Sequence, residues 1–274
     1  MIPAPFEYVR ATSAAEAVAA LGEYGEDAKV LAGGMSLLPL MKLRLATPTV
    51  LVDVGRIGDL SYLRDGGDHV AIGALTRHRD LETSELLERE CGVLRGVAAE
   101  VGDNQVRHRG TLGGSVAHGD PASDLPAVLL ALDATLVVTG PSGSREVGAA
   151  EFFLGFLECA LTPDELLTEI RVPKVGSHGW SYQKFNRRAQ DWAIVGALAV
   201  KMNGSARVAL VNMGPTPLRA AAVEAALADG APATDAADRA AEGTEPTSDL
   251  SATPEYREHL ARVLTRRALE QALT

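Results

Sequence analysis

The chain has 274 residues, 46% of them hydrophobic and 4% aromatic, and a formal charge of −10. At roughly 100–200 residues per domain this makes one large domain or two to three small ones, too apolar to be intrinsically disordered. The acidic balance speaks against a protein that grips nucleic-acid phosphates on a basic face. With no stretch near the ~20 apolar residues of a membrane span and no basic and apolar leader at the N-terminus, a cytoplasmic location is expected.

The first element expected is a helix. Ser13-Ala-Ala-Glu16 has the capping-box spacing and precedes an Ala-rich run that ends near Tyr24. Residues 29–32 read as a short apolar strand running into Gly33-Gly34, residues 37–45 have mixed helical spacing, and residues 50–54 read as a second strand. The apolar run over 69–75 predicts a strand, and helical spacing succeeds it over 80–87 and 94–101. Residues 103–119 are polar and Gly-rich and are expected to form a long loop. A buried helix over 125–132 and a β-branched strand over 135–139 come next, and the alternation continues over 152–157 and 165–172. Pro173-Lys-Val-Gly-Ser-His-Gly179 is turn-rich and marks the expected domain boundary.

Beyond it, residues 181–185, 193–202 and 206–213 read as consecutive strands, with Asn203-Gly204 as a hairpin signal between the last two. Residues 218–228 read as helix, 230–247 as loop with frayed helix, and 254–273 as an amphipathic terminal helix. Strands in a row succeeded by helices predict an α+β second domain.

Two glycine pairs stand out as sites for chemistry. One lies in Leu31-Ala-Gly-Gly-Met-Ser-Leu-Leu-Pro39, directly after a predicted strand, and the other in Arg109-Gly-Thr-Leu-Gly-Gly-Ser115. Glycine lets backbone approach a ligand closely, and successive N–H groups in such turns make an anion-binding concavity. Ser36, Thr111 and Ser115 add hydroxyl donors, so two such loops meeting could clasp a pyrophosphate; equally, each could be a plain tight turn. Neither is a GxGxxG or a GxxxxGK[ST] motif.

The six histidines show no metal-ligand spacing. His78 and His108 each lie between two arginines and are expected to be solvated parts of basic stretches. His118, Asp120 and Asp124 could form a polar cluster, although an Asx-type turn at Asp120-Pro121 accounts for the pattern as well. Ser115 is not in a nucleophile elbow. Two cysteines, Cys91 and Cys159, are too few for a disulfide framework or an iron–sulfur cluster and read as buried and inert. In Lys184-Phe-Asn-Arg-Arg-Ala-Gln-Asp-Trp192 charge adjoins aromatics: either a strand end with ion pairs, or a place where Lys184 or Trp192 lies against a planar cofactor.

At these motifs the chain resembles the flavin subunit of the molybdenum hydroxylases, the medium subunits of carbon monoxide dehydrogenase-type enzymes and the FAD segment of xanthine dehydrogenase. The likeness runs nearly the whole length. It includes Phe6-Glu-Tyr, the first Gly-Gly loop, Lys42-Leu-Arg-Leu-Ala-Thr-Pro48, Val52-Asp-Val, Ile72-Gly-Ala-Leu-Thr76, Gln105 through Gly114, Asp120-Pro-Ala-Ser-Asp-Leu-Pro126, Lys184-Phe-Asn-Arg and Tyr256-Arg257. It implies an α+β chain with the two-subdomain FAD-binding fold of vanillyl-alcohol oxidase-like (PCMH-type) flavoproteins over residues 1–175, divided at 55. An α+β domain over 176–274 would then cover the isoalloxazine.

By the same resemblance, Ala32, Gly33, Gly34, Met35, Ser36 and Leu37, with Thr111, Gly113, Gly114 and Ser115, hold the FAD pyrophosphate. Asp124 matches a position contacting the ADP half, and Leu167 and Lys184 match positions near the flavin ring, where Trp192 would also fit. Ser115 and Met35 depart from the Asn and the polar residue common at their positions. The implied role is electron relay in a heteromeric complex, a dimer of heterotrimers with a [2Fe–2S] small subunit and a molybdopterin-binding large subunit, delivering to an external acceptor. No catalytic or metal-binding residue is implied on this chain. A free-standing FAD-dependent oxidoreductase of the same fold, and an assembly protein that has lost its cofactor, are the competing readings.

Overall fold

The computed structural model describes residues 2–176, 178–202 and 204–274. Three sheets with three cores succeed one another along the chain, beside a two-stranded ribbon that pairs Phe153–Gly155 with Glu158–Cys159. The first is a parallel sheet in which Val50–Asp53 lies between Glu7–Arg10 and Ala28–Leu31. The helix Ala14–Tyr24 covers it, started by Ser13, whose hydroxyl accepts from the Glu16 N–H, and buries Ala17, Val18, Ala20 and Leu21. Capping signal and apolar stripe agree here with what the residues predict.

The second sheet is antiparallel and has five strands. Leu166–Pro173 runs down its middle between His69–Gly73 and Thr135–Gly140, with Leu63–Asp65 and Gly143–Gly148 at the edges. The helices Gly92–Ala99 and Asp124–Ala131 supply much of its core, every residue of the latter being buried. A helix apolar all round is a helix surrounded by protein. Here it is enclosed between the second sheet's domain and the third sheet.

The third sheet is antiparallel: Trp180–Phe185, Val195–Met202, Ser205–Val211 and Leu218–Arg219, in that order. Leu198, Val200, Ala209 and Val211 pack into the core of the second sheet's domain. Val195, Ala197, Ala199, Val208 and Leu210 pack on the other side, under the terminal helix Pro254–Leu273. Burial on both faces explains why these strands read as continuous apolar runs instead of alternating. Met202 pairs with Ser205 across the turn; of the expected Asn203-Gly204 hairpin, Asn203 lies outside the described residues, as does Ser177 of the turn-rich stretch, while Gly204 has φ 79°.

Two expectations are corrected. Residues 103–119 do not form a long loop but two short helices, Asn104–Arg109 and Leu112–His118. Asp103 and Thr111 cap them through their side chains, accepting from the N–H of Val106 and Gly114. The two glycines inside the second helix hid it, since Gly costs about 1 kcal/mol in a helix interior and tertiary contact overrides that here. His78 is not solvated. It is 4% exposed and starts the helix His78–Glu82 with its N–H on the Gly110 carbonyl at 3.0 Å.

Candidate functional site

The first Gly-Gly turn comes after the strand Ala28–Leu31 and precedes the short helix Leu37–Lys42. Gly34 has φ 76°, which favours glycine. A Cβ on Gly33 would stand 2.3 Å from the Arg109 carbonyl oxygen and 2.9 Å from Gly110 Cα. The two Gly-rich segments therefore do meet, and they meet backbone to backbone, which no side chain at residue 33 would permit. Ala32 Cβ lies 3.8 Å from where a Gly114 Cβ would be. Arg77 braces the far side of this junction by donating from Nη1 to the His108 carbonyl at 2.7 Å.

The two segments differ in what they offer a ligand. Among the described residues, the N–H groups of Gly33, Gly34, Met35, Ser36 and Leu37 have no hydrogen-bond acceptor. Backbone donors that are half-buried and unpaired in succession call for water or an anion. In the second segment the amides are already committed: Leu112 to the Thr76 carbonyl, Gly113 to Ala74, Gly114 to Thr111 Oγ1 and Ser115 to the Thr111 carbonyl, all between 2.8 and 3.1 Å. Thr111 is buried at 6% exposure with its hydroxyl used as a cap, and Gly113 is packed against Ala74. The matched pair of N–H cradles expected from the sequence is thus a single cradle facing a wall, with exposed Gly114 and half-buried Ser115 as the accessible part of that wall. Met35 is exposed and Leu37 half-buried at the cradle's rim.

Asp124 and Lys184 converge on each other. Lys184 Nζ donates to Asp124 Oδ2 at 2.8 Å and to the Glu100 carbonyl at 3.0 Å, and the side chains are 6% and 5% exposed. Tyr182, two residues earlier on the same strand and hence on the same face, donates its hydroxyl to Asp124 Oδ1 at 2.5 Å. Burial raises the Asp124 pKa above the usual carboxylate range, with the Lys184 charge opposing it. Burial and the neighbouring Asp124 charge push the Tyr182 phenol well above its usual value. Sequence reading found Asp124 and Lys184 but missed Tyr182; the i, i+2 spacing of Tyr182 and Lys184 on a predicted strand was its available signal. The expected polar cluster of His118, Asp120 and Asp124 is not formed: Asp120 accepts from the Ala122 N–H at 2.8 Å in an Asx turn, and Asp124 turns to Tyr182 and Lys184.

Leu167 is buried at 4% exposure on the central strand of the second sheet. Its neighbour Thr168 accepts the Ala74 N–H at 3.0 Å, and Ala74 in turn accepts from Gly113, which links this strand to the second Gly-rich segment. Trp192 is 52% exposed, on the loop between the first two strands of the third sheet. Cys91 is buried, its thiol pushed up to about 11 by desolvation, and burial also raises the thiol of Cys159. Among the described residues no group of three or more His, Cys, Asp or Glu side chains is arranged to hold a metal, and no helix is long and apolar enough to cross a membrane.

Comparison with known proteins finds two described family domains along the chain. The family described as the FAD binding domain in molybdopterin dehydrogenase matches residues 4–175, and the CO dehydrogenase flavoprotein C-terminal domain matches residues 180–272. The carbon monoxide dehydrogenase medium chain of Hydrogenophaga pseudoflava is 42% identical, over 99% of this chain and 98% of that one. The 6-hydroxypseudooxynicotine dehydrogenase complex subunit alpha of Paenarthrobacter nicotinovorans is 36% identical, over 100% and 96%. A solved structure of carbon monoxide dehydrogenase from Hydrogenophaga pseudoflava superposes with a TM-score of 0.96 at 44% identity, covering 100% of this chain and 99% of its counterpart.

Proposed function

Because the chain belongs to the molybdopterin-dehydrogenase family of FAD-binding proteins, with that family's C-terminal flavoprotein domain, we propose that it is the FAD-bearing electron-relay subunit of a heteromeric molybdenum hydroxylase. The observation that carries this reading is the run of unpaired amides from Gly33 to Leu37 against a wall that no Cβ could share. An FAD pyrophosphate fits such a place without a basic patch, in keeping with the net charge of −10.

Residues 1–175, in subdomains 1–55 and 56–175, form the FAD-binding part, and residues 176–274 the covering domain. Ala32 through Leu37 donate to the pyrophosphate from the backbone. Thr111 shapes the opposing helix start, Gly113 and Gly114 keep it flat, and Ser115 adds a hydroxyl. Leu167 contributes apolar lining. Asp124 and Lys184 line the ADP and flavin ends, and their head groups, spent on each other and on Tyr182, set the spacing of the two domains around the cofactor. Bound FAD supplies a redox centre able to accept and pass on electrons singly or in pairs, while the protein supplies binding, orientation and electrostatics.

Two cysteines, far apart in sequence and both unpaired, cannot carry a cluster, so a [2Fe–2S] small subunit delivers the electrons and a molybdopterin-binding large subunit performs the hydroxylation. Relatives that this chain matches over nearly their whole length bear names that specify carbon monoxide in one case and 6-hydroxypseudooxynicotine in another, which supports a choice of substrate made on another chain. Unpaired thiols accord with the cytoplasm.

The test is co-purification with the neighbouring subunits, and then cofactor extraction. One FAD per copy of this chain is expected, with iron, sulfide and molybdopterin on the partners. A complex that stays colourless in the flavin bands after FAD is added would overturn the reading.

A further inference from the structure

We propose that residues 2–55 open from the rest of the molecule as one body, hinged at residues 54–57, and that the FAD site is entered by this opening while the third sheet stays in place; the role given to FAD rests on the proposed FAD-subunit reading. The two junctions of the fold are built differently. Where the third sheet meets the second subdomain, polar links fasten both ends of the helix Asp124–Ala131. At its start Asp124 accepts from Tyr182 and Lys184, and the Asn212 N–H donates to the Pro121 carbonyl at 2.9 Å. Just past its end Asp133 pairs with Arg207 at 2.5 Å and accepts from Arg219 at 3.2 Å, while Arg207 also donates to the Ala131 carbonyl at 3.1 Å.

The first subdomain is held by nothing of this kind. Its side-chain hydrogen bonds close on itself: Tyr8 to Asp53, Thr12 to Glu16 and the Gly55 N–H to Asp53. Among the described residues, the hydrogen bond that leaves residues 2–55 is that of the Ile57 N–H on the Val54 carbonyl at 3.0 Å, inside the connecting turn, where Gly55 and Arg56 are exposed. Among the same residues no salt bridge leaves this body. What the two sides share is apolar contact. Leu75 and Leu166, from the second subdomain, complete the core of the first sheet, and Gly33 rests against the Arg109 carbonyl. Apolar contact is non-directional and re-forms after separation, whereas parting a buried ion pair strands a charge. The first junction is therefore the one that parts at lower cost, and local openings are drawn from the least stable contacts. It is also the junction where the site lies. The unpaired amides from Gly33 to Leu37 belong to the moving body, and the wall from Thr111 to Ser115 to the fixed one. FAD held by both is the polar link that this junction otherwise lacks, so its binding closes the opening.

The test is thiol labelling of the full chain by N-ethylmaleimide, read residue by residue by mass spectrometry. A Cys159→Ser background leaves buried Cys91 as the reference for global unfolding. Leu166→Cys places a thiol in the first core, and Ala209→Cys, in a separate variant, places one between the third sheet and the second core. Without FAD, the thiol at residue 166 is expected to react about tenfold or more faster than the thiol at residue 209 and Cys91, which keep pace with each other. Equal rates at residue 166 and Cys91 mean that the junction parts only when the whole chain unfolds, and overturn the proposal. A thiol at residue 209 as fast as that at 166 overturns it as well, because the third sheet then opens too. Should Leu166→Cys fail to fold, shown by immediate labelling of Cys91, Leu75→Cys is read in its place. FAD is then added, with the partner subunits where uptake needs them, and uptake is followed by co-elution of flavin. Uptake that slows labelling at residue 166 about tenfold or more supports closure by the cofactor. Uptake that leaves this rate unchanged overturns the entry route. Absence of uptake overturns the FAD-subunit reading, while the opening itself stands or falls on the rates without FAD.

Discussion

Replacing Lys184 by Met removes an ammonium and keeps most of the stem that packs around it. The carboxylate of Asp124 then has Tyr182 as its one remaining side-chain partner, in a place where both members of the original pair are at most 6% exposed. That burial decides the magnitude. An exposed pair is worth about 0–1 kcal/mol, whereas breaking a buried one by removing a single partner costs about 3–5 kcal/mol, because an uncompensated charge is left inside. The upper limit is set by the option of protonating Asp124. Its pKa is already raised by burial against the opposition of Lys184, and without that opposition it rises further. A carboxyl that holds its proton to higher pH in the folded state than in the unfolded state makes stability fall as pH rises through that interval. Lys184→Met is therefore expected to lose about 3–5 kcal/mol at neutral pH and to recover part of it on acidification. Adding Asp124→Asn should recover more, since no charge remains to be buried. The assay is urea denaturation monitored by far-ultraviolet circular dichroism and tryptophan fluorescence. Because the pair joins the helix Asp124–Ala131 to the strand Trp180–Phe185, the two probes should separate in the single variant. A loss below about 1 kcal/mol, or strict additivity in the double variant, would refute the reasoning.

Gly33→Ala should raise the Kd for FAD about tenfold or more, measured by titration, because its Cβ must displace the Arg109 carbonyl 2.3 Å away and overpacking of this kind costs about 1–3 kcal/mol. His78, held down to about 4 by burial and then by the Arg107 charge, stays neutral in the fold while the unfolded chain protonates near 6.5. Its presence should thus lower stability by up to about 3 kcal/mol between those pH values, and His78→Leu should flatten that part of the stability–pH curve. Glu165 is held down to about 2, chiefly by its hydrogen bonds from Arg145. Its contribution is complete above the unfolded value of about 4.3 and fades as pH falls through about 2. Glu165→Gln should therefore lower the Tm at pH 6 and leave it unchanged near pH 2.

The parts legible in the sequence were those whose signal is local. The capping box at Ser13, the apolar strand before Gly33 and the apolar runs of the third sheet each carry their signal within a few residues. The helix Leu112–His118 was not legible because its stability lies in contacts with Ala74 and Thr76, residues some forty positions earlier. His78 was misread for the same reason. Two flanking arginines suggest solvent, but Arg77 is drawn to the His108 carbonyl and the imidazole is turned under Gly110. At the site, glycine content announced two loops that approach something closely. That one of them approaches the other, and that its amides are already spent, depends on backbone pairing that no spacing rule encodes. The pairing of Asp124 with Lys184 is a tertiary fact of the same kind.

The third sheet, apolar on both faces, also has a consequence for the order in which the protein can be made. Its strand Ser205–Val211 leaves the ribosome roughly 60 residues ahead of the end of the helix Pro254–Leu273 that covers its outer side. At about 5–20 residues per second this leaves that surface bare for several seconds in every round of synthesis. Through that interval the FAD-binding part is the one layer available to shield the sheet. A nascent chain that has its first two sheets assembled offers the inner face of the late strands a finished surface to settle on before the covering helix reaches the outer one.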